Sequence, residues 1–566
     1  MEQIKTQLAN CLFKAIDAVE TFGLQEILNT LEYPSDDKNG DLSFPCFKLA
    51  KIFKKAPPVI AKEIAEKLSL PADVERVEAV SGYVNFYLSP KYYTKLMNTV
   101  TYDGEVTSIG KGKTICIDFS SPNIAKKFHL GHIGTTVIGN SLRNIFKYCG
   151  YNVVAINHLG DWGTNFGKLI CAYKMWSSRE KVETEGVIEL ERIYARFNKE
   201  ANENDALNQL ARDAFRELEN GNDEYLEIWR YFKEISLKEY MKTYDLMGIT
   251  FDSFNGESFF TDKMPAVVEE LKAKGMLKID DGASVVDLSE FNMPPVLILK
   301  RDGTTLYPTR DIAAAKWRKQ EYDFDKCIYV TSAGQSLHFA QWFKVVELMG
   351  YDWAKNLVHV PYGTMSFGGE KLASRTGNII YLDDLLSQAI EKAEKIIEEK
   401  NAALQNRHET AVAVGVGAVI FNALFNSRIK DVDFSWDTAL SFEGNTGPYV
   451  QYTYARSCSV LRKAGDNGEG ELAFNDYVPN TDEIRLIKQL TLFGERVASA
   501  MKDYEPSVIT RYLLECCWLF NQFYNTSPVL KADGQTKAFR IALTRAFREI
   551  AGRCLDLMGM TKTQEI

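Results

Sequence analysis

Lys113 to His132 reads KTICIDFSSPNIAKKFHLGH. The first seven residues are an apolar run of the kind that fills a strand buried on both faces. A turn follows, and then two histidines three residues apart. From Gly131 to Gly150 the apolar residues recur at helical spacing, and YNVVAINH (Tyr151 to His158) is a second strand-like run. Strand, helix, strand in that order opens a doubly wound parallel sheet, an α/β fold.

Open sheets of this class bind ligands outside the carboxyl ends of their strands, which is where His129 and His132 fall. Zinc would need three or four ligands. The chain holds six histidines and no HExxH glutamate, so no metal site is expected. A core pair suits poorly a turn punctuated by Pro and Gly. The phosphate reading remains. A helix starting near Gly131 would turn free N–H groups and its positive end toward an anion. Gly131 would let a ligand lie against the backbone. Two imidazoles can donate to a phosphate as charge builds on it, each preorganised donor being worth about 3 kcal/mol. Lys126 and Lys127 add charge beside them.

Working outward, 566 residues are too many for one core. Residues 1–104 form a first, α+β unit. It contains FPCFKLAKIFKKAPP (Phe44 to Pro58), expected as a helix ended by the double proline. Lys48, Lys51 and Lys55 would then share one helix face, either a solvated surface or a stripe for phosphates. VERVEAVSGYVNFYLS reads as paired strands about a Ser-Gly turn. Residues 105–404 carry the α/β pattern, interrupted at about 170–290 by long charged helices. The sheet is expected to resume with PPVLILK, KCIYVTS and NLVHVPYG. Residues 405–566 read as an all-α domain. Its most apolar stretch, Ala411 to Phe421, is read as a buried helix rather than a membrane span.

Hydrophobic residues at 45% and charged residues at 25% are those of an ordinary globular protein. The ten cysteines are scattered without a CxxC, which fits a reducing cytoplasm better than a disulfide framework. A net charge of -9 argues against binding polyanions over the whole surface, though not at a local basic patch.

HLGH resembles the HIGH signature of class I aminoacyl-tRNA synthetases. SSPNIAKKFHLGH with NHLGDWGTNFG (Asn157 to Gly167) resembles the arginyl-tRNA synthetase family in particular. The likeness continues through LYPTRDIAAAKWR, IYVTSAGQSLHFAQWF, GGEKLASRTGNIIYLDDLL and FEGNTGPYVQYTYAR. It implies a Rossmann-like catalytic domain between an N-terminal domain that reads the tRNA elbow and a helical anticodon-binding domain. It also implies L-arginine, ATP with Mg2+ and tRNA(Arg) as substrates. Catalytic roles then fall to His129, His132, Lys126 and Lys371. The arginine pocket is assigned Asp118, Asn123, Tyr307, Asp311 and Gln335, with Asp311 as guanidinium partner and Asp118 where the family usually carries glutamate. Taken alone, Thr309-Arg310-Asp311 has the helix cap as its alternative reading. ATP would meet Ser121, His129, Gly131, His132, Lys371, Ser374 and Arg375.

KLASR (Lys371 to Arg375) stands where the family's KMSKS loop closes on ATP, but Ser374 replaces its second lysine. Lys126 matches the position thought to compensate, and Lys127 is expected to matter less. By itself EKLASRTG reads as a surface turn. Tyr449, Tyr452 and Tyr454 offer faces for unpaired bases or, at helical spacing, core packing. A monomer away from membranes is expected. Two other functions fit parts of the pattern: an adenylylating HxGH enzyme that uses no tRNA, and a tRNA-binding relative without catalysis.

Overall fold

The structure is a computed structural model, and it describes residues 1–16, 22–34, 36–102, 104–301, 303–367, 370–371, 380–466, 474 and 477–566. The chain forms two compact units. One combines Met1–Asp103 with Arg456–Gly494 and Glu515–Ala551; the other holds Gly104–Ala455, Glu495–Leu514 and Gly552–Ile566.

In the first unit β1 (Leu42–Pro45), β2 (Val74–Val80) and β3 (Tyr83–Leu88) form an antiparallel sheet in the order β1-β3-β2. The hairpin turns where the Ser-Gly pair predicts. Ser81 and Gly82 have φ of 51° and 89°, the left-handed pair that matches the twist of the flanking strands. A Cβ on Gly82 would also lie 2.9 Å from Pro57. Late segments join this unit: Lys488 pairs with Asp41 at 2.9 Å, and the Thr94 hydroxyl donates to the Tyr477 carbonyl at 2.9 Å.

The expected helix over Phe44 to Pro58 is not continuous. It spans Phe47–Phe53 and stops at Lys54, which is left-handed at φ 50°. Pro57 and Pro58 open the next helix, Pro57–Lys67, instead of closing the first. A proline at the start of a helix loses no hydrogen bond, because the first N–H groups have no partner there. Lys55 therefore lies outside the helix that carries Lys48 and Lys51.

The second unit is built on β4 (Thr114–Asp118) and β5 (Asn152–Ile156), joined by β9 (Lys326–Ser332) and β10 (Leu357–Tyr362). The four run parallel in the order β10-β9-β4-β5. The chain turns to opposite sides of β4 for β5 and β9, so the switch point of the sheet lies at the carboxyl end of β4. Asp118, the last residue of β4, pairs in register with Ile156 and Tyr329. PPVLILK does not join this sheet. It forms β8 (Val296–Leu299), which pairs antiparallel with β7 (Ala283–Val286), itself paired with β6 (Leu277–Asp280). The reason is burial: Leu297 is solvent-exposed while Val296 and Ile298 are buried, the alternation of a strand with one wet face.

The charged insertion supplies helices that pack on one another through Leu190, Ile193, Phe197, Leu207 and Ala211, with Phe166 and Leu169. A further small sheet joins β11 (Met365–Phe367) to β12 (Glu370–Lys371) and, in parallel, to β13 (Val432–Phe434). The helix Arg407–Phe425 is long and apolar enough to cross a membrane by length and composition, but most of it is buried inside the protein.

Candidate active site

Between β4 and the helix Ile133–Tyr148 the chain is forced into an unusual path. Ser120, Ser121 and Ala125 all have positive φ, at 70°, 45° and 62°. Each such residue costs about 1–3 kcal/mol, and such strain persists where the surroundings over-determine the backbone. Here they do. The Thr135 hydroxyl oxygen accepts from the Ser120 N–H at 3.0 Å, and the Ser236 hydroxyl oxygen accepts from the Ala125 N–H at 2.8 Å. The Tyr240 hydroxyl donates to the Asn123 carbonyl at 2.7 Å.

Each histidine ring caps a backbone N–H of the turn. The Gly131 N–H donates to His129 Nδ1 at 3.1 Å, and the His129 N–H donates to His132 Nδ1 at 3.2 Å. Burial lowers the affinity of both rings for a proton. For His132 burial and then His129 bring the value down to about 3; for His129 burial leads, followed by Lys126. A neutral imidazole that accepts at Nδ1 carries its proton on Nε2. Each ring thus keeps one N–H donor for a ligand. The helix start itself offers less than its sequence promises. The N–H groups of Leu130, Gly131 and His132 are already bonded, to the Ile380 carbonyl, His129 Nδ1 and the His129 carbonyl. Gly131 is needed for a different reason as well, because a Cβ there would sit 2.8 Å from the His129 ring.

Asp118 is engaged within the protein. Its Oδ2 lies 2.8 Å from the guanidinium of Arg318, whose side chain is 2% exposed, and its Oδ1 accepts from the Ser121 hydroxyl at 2.8 Å. His158 sits beside this pair; burial lowers its affinity for a proton, with Arg318 acting the same way and Asp118, Asp311 and Asp161 opposing. The helix Tyr307–Tyr322 begins without a side-chain cap, and the Thr309 hydroxyl donates to the Ile298 carbonyl, so Asp311 caps nothing. Asp311 instead meets His338 Nε2 at 2.6 Å. Gln335 stands exposed in the turn after β9.

Asn123 and Tyr307 share a cavity of about 170 Å3 with Lys126, Asn165, Tyr194 and Glu257. Glu257 is a residue the sequence did not single out. It is 2.9 Å from Arg310 and mostly buried; burial pushes its carboxyl up to about 7, with Arg310 opposing the shift. Arg318 and His338 lay inside motifs already quoted, but nothing local marked their partners. Glu257 sits in an ordinary loop sequence, and only the tertiary fold brings it to Tyr307. Lys126 is exposed, with no ion-pair partner among the described residues. Lys371 ends β12; its side chain, Ser374 and Arg375 lie outside the described residues. Among the described residues no cluster of His, Cys, Asp and Glu is placed to hold a metal ion.

In the other unit, Lys48 pairs with Glu26 at 2.8 Å and Lys55 with Glu63 at 2.6 Å, while Lys51 is exposed. Beside them Phe47 is 48% exposed and meets Tyr83 edge-on at 5.2 Å. Tyr449, Tyr452 and Tyr454 are all half-buried on the helix Gly447–Ala464. They do not form one face: Tyr452 packs on Phe442, and Tyr454 lies against Gly552.

Comparison with known proteins fits this arrangement. Residues 95–436 match the family described as tRNA synthetases class I (R), catalytic domain. Residues 2–88 match the arginyl tRNA synthetase N terminal domain, and residues 450–566 match the DALR anticodon binding domain. The arginine–tRNA ligase of Alkaliphilus metalliredigens is 45% identical over 557 residues, covering 97% of each chain. That of Clostridioides difficile is 45% identical over 564 residues, covering 99% of each. The solved arginyl-tRNA synthetase of Thermus thermophilus has a TM-score of 0.84 at 25% identity over 99% of both chains. With a catalytic-domain match over most of its length and close relatives along the whole of it, the chain belongs to the arginyl-tRNA synthetase family of class I.

Proposed function

We propose that the chain is an arginine–tRNA ligase. An arginine carboxylate oxygen attacks the α-phosphorus of Mg·ATP, the bond to pyrophosphate breaks, and arginyl-adenylate forms. The terminal ribose hydroxyl of tRNA(Arg) then takes the arginyl group and AMP leaves. No covalent enzyme intermediate is needed; the protein positions the reactants and stabilises charge in the displacement. The observation that carries this reading is the pair of imidazoles at the switch point of the sheet whose Nδ1 atoms accept backbone N–H groups, which leaves Nε2 of each for a ligand. Their N–H groups and Lys126 would stabilise the negative charge that builds on the α-phosphate. Ser121 and Gly131 shape this site by fixing Asp118 and His129, and Lys371, Ser374 and Arg375 complete the ATP contacts. The test is pyrophosphate exchange and tRNA charging with a panel of amino acids. Charging with arginine alone supports the reading, and charging with none would overturn it.

Arginine needs acceptors for its five-donor fork. Asn123, Tyr307, Asp311 and Gln335 supply them, with Glu257 added from the shared cavity and Asp118 acting through Arg318. Asp311→Asn and Glu257→Gln should each raise the KM for arginine about tenfold or more, with a smaller change for ATP, because a charge-assisted hydrogen bond is worth about 1.5–3 kcal/mol. Bound guanidinium favours the ionised Glu257, so the KM for arginine should also rise as pH falls below about 7. A pH-independent arginine KM would remove Glu257 from the pocket.

The domains over 1–104, 105–404 and 405–566 would serve the tRNA elbow, catalysis and the anticodon, with the enzyme acting as a cytoplasmic monomer. Lys51 is the strongest phosphate ligand of its group, since Lys48 and Lys55 must first leave Glu26 and Glu63. Lys51→Ala should lower the slope of log K for tRNA against log salt by about one, and the triple change by more. Equal slopes would make these lysines a solvated surface. Tyr449, Tyr452 and Tyr454 are kept as base-stacking groups that would have to turn out of their present packing.

A further inference from the structure

Lys126 and Lys127 are neighbours with the same charge and opposite fates. Lys126 is exposed and has no ion-pair partner among the described residues. The Lys127 side chain is 10% exposed; its Nζ lies 2.7 Å from Asp383 Oδ2 and 4.6 Å from the centre of the Tyr381 ring. Glu191, on the insertion helix Val187–Ala201, joins the same cluster with both oxygens. Oε1 accepts from the Lys127 backbone N–H at 2.7 Å, and Oε2 accepts from the Tyr381 hydroxyl at 3.1 Å.

The backbone closes the arrangement. The Leu130 N–H donates to the Ile380 carbonyl at 2.9 Å, and the Leu382 N–H donates to the Phe128 carbonyl at 3.0 Å, so His129 and Tyr381 face each other as an antiparallel bridge. Residues 380–383 come after the KLASR segment with residues 376–379 between them, and residues 127–130 carry the first histidine of the HLGH signature. The segment that leads into the first signature and the one that comes after the second in sequence are thereby fastened together. A partly buried ammonium held by a carboxylate and an aromatic face is a restrictive joint, since removing either charge leaves the other without its partner.

We propose that Lys127, Asp383, Glu191 and Tyr381 form a clamp that sets the spacing between the HLGH and KLASR signatures, making Lys127 and Glu191 positioning residues for the ATP step. The proposal rests on the ATP reading given above. Arginine makes no use of this spacing, because the groups assigned to it come from β4, the segment after it, and the helices following β8 and β9. Loss of the clamp therefore acts on one substrate. The insertion helix, through Glu191, has a part in the catalytic centre as well as in its own packing.

Lys127→Met, Lys127→Arg, Glu191→Gln and Asp383→Asn in the full-length enzyme test this, with thermal melting as the check on folding. Lys127→Met and Asp383→Asn should raise the KM for ATP at least fivefold and Glu191→Gln at least threefold, with the KM for arginine within twofold of the parent. Lys127→Arg, which keeps the charge, should retain an ATP KM within threefold. Hydrogen exchange provides a readout independent of activity: Lys127→Met should speed exchange in peptides covering 128–132 and 380–386 while β4 and β9 stay protected. Folded variants whose two KM values rise together, or which alter neither KM nor exchange, overturn the clamp. A parent enzyme that charges tRNA with no arginine overturns the functional reading instead, and the exchange measurement still decides the clamp.

Discussion

Without tRNA, arginine-dependent exchange of pyrophosphate into ATP should be nearly undetectable, and cognate tRNA should raise it by about two orders of magnitude. The physical motive lies in KLASR. With Ser374 where a second phosphate-binding lysine would stand, the loop would bring one charge fewer to ATP and its competent state would be rarely populated. A ligand that prefers the competent state by about 3 kcal/mol raises its population about a hundredfold where it begins rare. The fold provides a connection for such a bias. β13, from the stretch between the helices Arg407–Phe425 and Gly447–Ala464, runs parallel to β11, and Ser366 donates to Asp433 at 2.7 Å. The strand that precedes Lys371 is thus held by the helical part of the chain. tRNA with a terminal ribose that cannot accept arginine should activate as well as intact tRNA, which separates activation from consumption of adenylate. Robust exchange in the absence of any tRNA would defeat the idea and favour an adenylylating enzyme of simpler kind.

Lys126→Ala should slow adenylate formation about a hundredfold, the loss of about 3 kcal/mol that one preorganised donor provides. The exposed Lys126 ammonium, the nearby uncharged imidazoles and the cavity it lines support that role. Ser374→Lys in the Lys126→Ala background should recover part of the rate. Single-turnover measurement of adenylate distinguishes this from the neighbouring lysine: Lys126→Ala lowers the maximal rate, whereas Lys127 variants act on the KM for ATP. A Lys126→Ala enzyme with near-normal rate would reject the compensation.

Much of this protein was legible from residues alone, where local chemistry repeats a simple rule. The buried strands KTICIDF and YNVVAINH, the Ser81-Gly82 hairpin and the histidine pair after β4 depend on periodicity, backbone freedom and chain order, all of which a sequence displays. The errors came where neighbours distant in sequence decide. PPVLILK has the composition of a buried parallel strand, but β7 supplied its partner and left Leu297 in solvent. Pro57-Pro58 marks a boundary either way, and whether it ends or begins a helix depends on the left-handed turn at Lys54. The site divides in the same manner. Sequence named His129, His132, Lys126 and Asp311, but not that Asp118 would be taken by Arg318, that Glu257 would enter the cavity of Tyr307, or that Lys127 would pair with Asp383. Residue type and spacing report what a side chain is able to do. Which of two equal charges is neutralised, and which is left for a ligand, is an electrostatic matter of a few ångströms, and only the tertiary fold sets those distances.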